Sequence, residues 1–194
     1  ALFATAVYAF GTSSFATSSQ ALWQHGPGQL CLALAALWMD PAGRRHPILC
    51  ALALGGAVAM RNTNALVAIP LGLLLLSRHR EIWWKIALAA AALPGLLLAY
   101  YLSVFGAPGP VSENIHMGLT SGFRQIPLLE GLWGVLLSPL RGLFFHSPVF
   151  VLALAGGAVA IWRRDRFFAA LFVGALAVVP LAAKWFIWWG GHCF

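Results

Sequence analysis

The feature that most constrains the fold is the alternation of long apolar runs with short clusters of arginine and lysine. Several runs approach the ~20 residues that an α-helix needs to cross the hydrocarbon core of a bilayer. Lipid offers no hydrogen bonds to the backbone, and a helix satisfies its own. The chain is therefore predicted to be an all-α, polytopic bundle of transmembrane helices joined by exoplasmic loops.

The composition agrees with a lipid environment. Of 194 residues, 61% are hydrophobic and 9% are charged, and the mean hydropathy is +0.83. The net charge of +7 comes from 12 Lys and Arg that lie in short clusters, which indicates a role in topology and no nucleic-acid partner. The three cysteines are far apart and lack CxxC spacing, so neither a metal site nor a disulfide framework is predicted; they are Cys31, Cys50 and Cys193.

Basic clusters in short loops mark the cytoplasmic side of a membrane. Three qualify, "GRRH", "SRHREIWWK" and "WRRDR", while the loops rich in Gly, Pro and Ser between them are predicted to face the exoplasm. Apart from the run between the first two clusters, the predicted spans are residues 1–19, about 29–39 (extended at its start by Ala21 to Trp23), about 83–105, 143–162 and 167–187.

The apolar run 48–76 is interrupted by Arg61, Asn62 and Asn64. If both flanking clusters are cytoplasmic, this run crosses outward and returns, turning at 61–64, and 8 of the 12 basic residues are cytoplasmic. A single crossing would instead leave 5 basic residues on the cytoplasmic side and 6 on the exoplasmic side, with Arg61 at mid-membrane. The sequence therefore predicts a short hairpin at 48–76 and about seven membrane segments.

The arms of this hairpin are short for a bilayer. Each covers roughly 20 Å of a core that is ~30 Å thick. We expect the tip to end below the outer surface in a water-filled cavity, since polar backbone at that depth must be buried in protein or line water. The alternative is that Arg44, Arg45 and Arg78 snorkel and so lengthen the hairpin.

The chain begins with "ALFATAVYAF" and stops at "WWGGHCF". We interpret residues 1–194 as one transmembrane domain, a fragment that lacks N-terminal spans and a first exoplasmic loop and is truncated at its C-terminus.

Arg61 is the first candidate for a functional residue. Inserting an arginine near the centre of a membrane costs ~2.5–3.5 kcal/mol of free energy, so such a residue is a candidate for a functional role. Its planar fork suits a phosphate or carboxylate, and Asn62 and Asn64 add neutral donors and acceptors. The simpler interpretation is a polar turn whose arginine reaches the lipid headgroups.

His25 and Trp23 lie beside a Gly-Pro-Gly sequence on the predicted exoplasmic side. An imidazole there can donate to a phosphate or act as an acid or base, and the tryptophan can stack on a sugar or sit in the interfacial belt. Structural roles are the alternative for both residues.

Ser-Pro pairs flank Arg141 and His146 in "LLSPLRGLFFHSPVF". Each proline disfavours helix at the residue before it, so a broken helix is predicted that aims both side chains into the cavity of Arg61. The alternative is an interfacial anchor, with Arg141 on a lipid phosphate.

Trp188 and Trp189 are typical of a membrane-interface belt, and a carbohydrate platform is the alternative. Glu113 and His116 are a weak candidate pair for a divalent metal, and no metal site is predicted from them. No DxD, HExxH, Walker or GxSxG motif is present.

Four of these stretches together resemble the GT-C class of glycosyltransferases, in its protein-mannosyltransferase-like and aminoarabinose-transferase-like branches. They are "SSQALWQHGP" at 18–27, the arginine-containing break at 61–64, "SPLRGLFFHSPV" at 138–149 and "WWGG" at 188–191. The resemblance implies a multi-pass protein of a bacterial inner (plasma) membrane. Asn62 departs from the class, since proline is frequent at that position.

The resemblance also implies a reaction. A sugar would move from a polyprenyl-phosphate-linked donor, as co-substrate, to a glycan, lipid or protein acceptor at the exoplasmic face, with inversion at the anomeric carbon. Arg61 and Arg141 would hold the phosphate, His25 and His146 would add hydrogen bonds, and the asparagines would position the headgroup. The general base would lie upstream of Ala1, and a divalent metal stays a candidate cofactor.

Two other classes use the same features. A transporter or flippase for an anionic lipid or small solute also needs broken helices, a midplane arginine and a cavity. A non-catalytic membrane assembly subunit would use its polar breaks only for packing.

Overall fold

The computed structural model describes residues 2–10, 25–39, 46–106, 108, 126–140 and 142–184. All regular structure in these residues is helical, as the sequence predicts. Two 3₁₀ turns, Asn62–Asn64 and Arg80–Ile82, join neighbouring helices. The α-helices are α1 (Leu2–Phe10), α2 (His25–Met39), α3 (Pro47–Met60), α4 (Ala65–Arg78), α5 (Trp83–Phe105), α6 (Leu128–Leu137), α7 (Leu143–His146), α8 (Phe150–Trp162) and α9 (Arg166–Ala183).

Helices α3 and α4 form a hairpin. Contacts at its two ends set the directions: Gly28 of α2 lies against Met60 and Asn64 at the turn. At the other end Nη1 of Arg78 donates to the carbonyl of Met39 at 3.3 Å. Helices α2, α3 and α4 therefore run alternately up and down, and the chain reverses at 61–64 as predicted.

Glycines allow α3 to approach both of its neighbours closely. A methyl group at Gly55 would overlap the backbone carbonyl of Ala90 in α5. One at Gly56 would lie 3.1 Å from Leu93 Cδ1 of α5 and 3.2 Å from Cys31 Sγ of α2. Small residues are the usual means of close helix packing in membranes, because the lipid provides no hydrophobic drive for association.

Helix α9 packs on the other arm of the hairpin. Asp165 caps its N-terminus, since the carboxylate accepts from the amides of Phe167 and Phe168 at 3.0 and 3.2 Å. A methyl group at Gly174 would lie 2.8 Å from the Cα of Val67 in α4. Phe167 is buried in one core cluster with residues of α2, α3, α4 and α5, so α9 completes that core.

Two segments are long and apolar enough to cross a membrane, Arg80–Phe105 with 26 residues and Arg166–Ala183 with 18. In the most apolar stretch of the first no residue is buried, and in that of the second 17% are. A core helix of a water-soluble protein would be mostly buried. Exposed leucines such as Leu88 and Leu96, 68% and 67% accessible, instead favour contact with lipid.

Several predicted boundaries change. The span predicted at about 29–39 begins at His25, so the Gly-Pro-Gly sequence forms the first helical turn and does not break the helix. Proline is tolerated there because its missing amide would have no partner. The break in 143–162 is present, since α7 ends at His146 and α8 begins at Phe150.

Helix α6 occupies residues that were predicted to be loop or were left without a span. It is apolar, begins after Pro127 and ends before the Ser138-Pro139 pair. A methyl group at Gly131 would overlap the carbonyl of Ala183, so α6 packs directly on the end of α9. Ten residues are too few to be recognised as a span.

The close approach at Gly55 predicts a selective loss of stability. Gly55→Ala forces α3 and α5 apart and should lower the free energy of unfolding by about 1–3 kcal/mol. Gly72→Ala in α4 meets no atom within 4 Å and should be neutral or stabilising by up to about 1 kcal/mol. Thermal unfolding of both variants in the same detergent measures the difference, and equal midpoints would contradict the packing described.

Candidate functional site

The structure brings Arg61 and His25 together. Arg61 ends α3 with extended backbone, at φ −155° and ψ 121°, and its side chain is exposed. Its Nη1 lies 3.0 Å from Nδ1 of the half-buried His25, the first residue of α2. Residues 36 positions apart in the chain thus form one polar pair at the tip of an apolar hairpin.

The chemistry of the two groups fixes the direction of this hydrogen bond. A guanidinium has donors and no acceptor, so the Nδ1 of His25 must accept and the imidazole is neutral.

Asn64 holds the turn that carries Arg61. Its Nδ2 donates to the carbonyl of Ala57 at 2.8 Å, and the backbone amide of Arg61 donates to the same carbonyl at 3.1 Å. A methyl group at Gly28 would lie 3.0 Å from Nδ2, so α2 leaves this amide little room to move. Asn64 therefore positions Arg61 through the backbone, while Asn62 is exposed beside it.

The tip of the hairpin lies below the end of α5. Both helices start at the Arg78 end, and Gly55 is level with Ala90. Six residues separate Gly55 from Arg61, but fifteen separate Ala90 from Phe105, where α5 ends. At about 1.5 Å per residue, α5 therefore extends about 14 Å beyond Arg61.

Helix α9 gives an independent measure of the same recess. Gly174 is level with Val67, which is three residues from Asn64, and α9 continues for nine residues from Gly174 to Ala183. The helix therefore extends about 9 Å beyond the turn. The Arg61–His25 pair therefore lies below the outer ends of both α5 and α9, and we call the space above the pair the recess.

His146 has its partners in its own turn. Its Nε2 lies 3.0 Å from the carbonyl oxygen of Pro139 and 3.2 Å from that of Leu140. Carbonyl oxygens only accept, so Nε2 donates and closes the turn between α6 and α7. These bonds favour a structural role for His146 over the predicted contact with an anion.

Other sequence-predicted candidates lie outside the described residues, namely Trp23, Arg141, Trp188, Trp189, Glu113 and His116. Within the part of the chain that the structure describes, no group of three His, Cys, Asp or Glu side chains is placed to hold a metal ion. There too, Cys31 and Cys50 are free thiols.

Two features beside the recess were not singled out from the sequence. Tyr100, Tyr101 and Phe105 form an aromatic cluster, with ring centroids 5.7 to 6.3 Å apart, on the part of α5 that extends past the tip. Lys184, at the end of α9, donates to the carbonyl of Ile126 at 2.7 Å. Aromatic residues closing a long apolar run are a recognisable interface signal, whereas nothing local marks the partner of Lys184.

Comparisons of the chain with protein-family models, with curated proteins and with solved structures find no match.

The recess predicts size-selective labelling at the tip. In a background with Cys31, Cys50 and Cys193 changed to Ala, Asn62→Cys should react with a small membrane-impermeant thiol reagent added from the exoplasmic side. A bulky polyethylene-glycol maleimide should react slowly, because α5 and α9 extend past this residue.

The matched control for this experiment is Ser103→Cys, near the exposed outer end of α5, which should react with both reagents. Equal labelling of the two positions by the bulky reagent would contradict the recess. Labelling of Asn62→Cys only from the cytoplasmic side would contradict the predicted topology.

Proposed function

We propose that this protein is a multi-pass glycosyltransferase of the GT-C type in a bacterial inner membrane, which transfers a sugar from a polyprenyl-phosphate-linked donor to an acceptor at the exoplasmic face. The observation that carries the proposal is the Arg61–His25 contact of 3.0 Å at the recessed tip of the hairpin. The class of reaction rests on the resemblance of four sequence stretches to GT-C enzymes.

The pair has the chemistry of an anion site. A guanidinium presents several N–H donors in one plane and binds phosphate through two parallel hydrogen bonds. Its bond to His25 uses Nη1 and leaves other donors of Arg61 for a ligand. Because His25 is neutral in this contact, the empty site carries one positive charge, which attracts the negative charge of a phosphodiester.

Depth supports a lipid-linked donor. The headgroup of a polyprenyl-phosphate sugar lies at the membrane surface, and its chain lies in the hydrocarbon. A guanidinium about 9–14 Å below the outer ends of α5 and α9 would meet such a phosphate as it descends between helices.

The reaction would proceed by direct displacement. An acceptor hydroxyl gives its proton to a general base, which the resemblance implies upstream of Ala1, and its oxygen forms a bond to the anomeric carbon. The bond from that carbon to the phosphate oxygen breaks, and the polyprenyl phosphate leaves with the electron pair. Negative charge on the phosphate grows from one towards two. Arg61 stabilises this growing charge more than the ground state, which is how an electrostatic contact accelerates a reaction.

Substitution of Arg61 tests the role directly. Membranes that carry the protein are assayed for sugar transfer from a polyprenyl-phosphate donor. Arg61→Ala should reduce the rate by about 100-fold or more, the usual effect of losing one such electrostatic contact. Arg61→Lys should retain part of the activity, because lysine keeps the charge but loses the planar fork.

The matched control is Arg80→Ala, an exposed arginine at the opposite end of the hairpin, which should leave transfer unchanged. Transfer unaffected by either substitution of Arg61 would remove it from the donor site. Movement of an anionic lipid or solute across the membrane without sugar transfer would instead favour the transporter alternative, and neither activity would favour an assembly subunit.

A further inference from the structure

We propose that an anion binds at Arg61 together with one proton, which His25 takes up on Nδ1. This inference rests on the anion site of the proposed function but not on the transfer reaction. It concerns how the site changes between its empty and occupied states, and the hydrogen bond between the two side chains carries it.

The empty site requires a neutral imidazole. Nη1 of Arg61 and Nδ1 of His25 are 3.0 Å apart, and only the guanidinium can donate. A proton on Nδ1 would replace this bond with a repulsion between two cations. The contact therefore holds the proton off His25 for as long as Arg61 has no other acceptor.

An arriving phosphate reverses this preference. Its oxygens are charged acceptors and form shorter and stronger bonds with a guanidinium than a neutral nitrogen does. The phosphate first meets the donors of Arg61 that His25 does not use. When Nη1 also turns to the phosphate, Nδ1 of His25 no longer accepts from Arg61 and lies beside a negative charge. A proton taken from solvent then lets Nδ1 donate to the same anion. Each site therefore takes up one proton for each anion that it binds.

The packing keeps His25 near the anion during this exchange. Three residues along α2, Gly28 lies against Met60 and Asn64, so the first turn of α2 is held at the tip. The backbone of His25 therefore stays beside Arg61 while the protonation of its ring changes. Asn64 holds the backbone of Arg61 through the carbonyl of Ala57.

Few other ionisable groups on the packed elements face His25. The turn carries Arg61, and α3 carries Cys50 alone, whose thiol donates to the carbonyl of Ala35 at 3.4 Å, further along α2. The helix of His25 itself carries Cys31, which packs near Gly56. Of these described groups, Arg61 is the one that carries a formal charge and contacts the ring of His25.

Binding of dimethyl phosphate is the test, because this diester stays a monoanion across the range of pH used. The protein in phosphatidylcholine nanodiscs is titrated by calorimetry from about pH 8 to about pH 5.5, in buffers of different ionisation enthalpy. An opposite charge raises a histidine pKa by about 1–3 units, and each unit is tenfold in affinity. Affinity should therefore rise at least about tenfold as pH falls, with uptake of a proton.

His25→Asn is the informative variant. The side-chain oxygen of asparagine can accept from Arg61 as Nδ1 does, but it does not titrate. This variant should bind dimethyl phosphate with an affinity that is independent of pH. His79→Asn, at the opposite end of α4 beside Glu81, should keep the dependence of the unmodified protein.

The outcomes separate the two proposals. Binding that needs Arg61 but has the same pH profile with and without His25 would overturn the proton coupling alone. No binding that depends on Arg61 would overturn the coupling and the anion site together. A parallel titration in nanodiscs with phosphatidylglycerol identifies the source of the anion: weaker binding of dimethyl phosphate there means that a lipid headgroup occupies the site.

Discussion

The rest of the structure depends on how the chain reverses between α3 and α4. The last carbonyls of a helix have no partner within the helix, and in an apolar environment each unsatisfied group costs several kcal/mol. Here Ala57 lies with no exposed surface, and its carbonyl accepts both the Asn64 side chain and the amide of Arg61. A polar turn below the ends of the neighbouring helices is possible because its own residues supply these donors.

The same turn explains why a charge is found at this depth. Its geometry carries Arg61 in extended conformation away from the end of α3, towards the first residue of α2. The close contacts at Gly55 and Gly174 set the heights of α5 and α9 relative to the turn. Helix packing thus determines how far the Arg61 guanidinium lies below the ends of α5 and α9, and that it contacts His25. These two properties make Arg61 a candidate binding site.

Part of this arrangement was predictable from local pattern. The long apolar run gave α5 with both predicted ends, 83–105, and the polar break gave the reversal at 61–64. Helix α6 was missed because ten apolar residues between prolines do not distinguish a packed helix from a loop. His25 was placed beside a helix break, although the Gly-Pro-Gly sequence after it is compatible with a first helical turn.

The sequence predicts which residues belong to the candidate site better than it predicts the contacts between them. The sequence indicates Arg61 by its charge within an apolar run and His25 by its place beside a Gly-Pro-Gly sequence. The resemblance to GT-C enzymes implies that both act on one phosphate, but it does not predict that they contact each other. Asn64 was expected to contact a ligand headgroup, whereas its amide group supports the turn. Such roles depend on which neighbour lies within about 3 Å, and residue type does not reveal this.

By itself the sequence determined the helical class, the apolar character and the position of the reversal, because these follow from hydropathy, the spacing of charges and the chemistry of proline and glycine. Only the tertiary structure decided that Arg61 meets His25, that Asn64 holds the turn and that both α5 and α9 rise past the tip. These are contacts between residues far apart in the chain. They arise from the register in which glycine-lined helices pack, and no local pattern encodes that register.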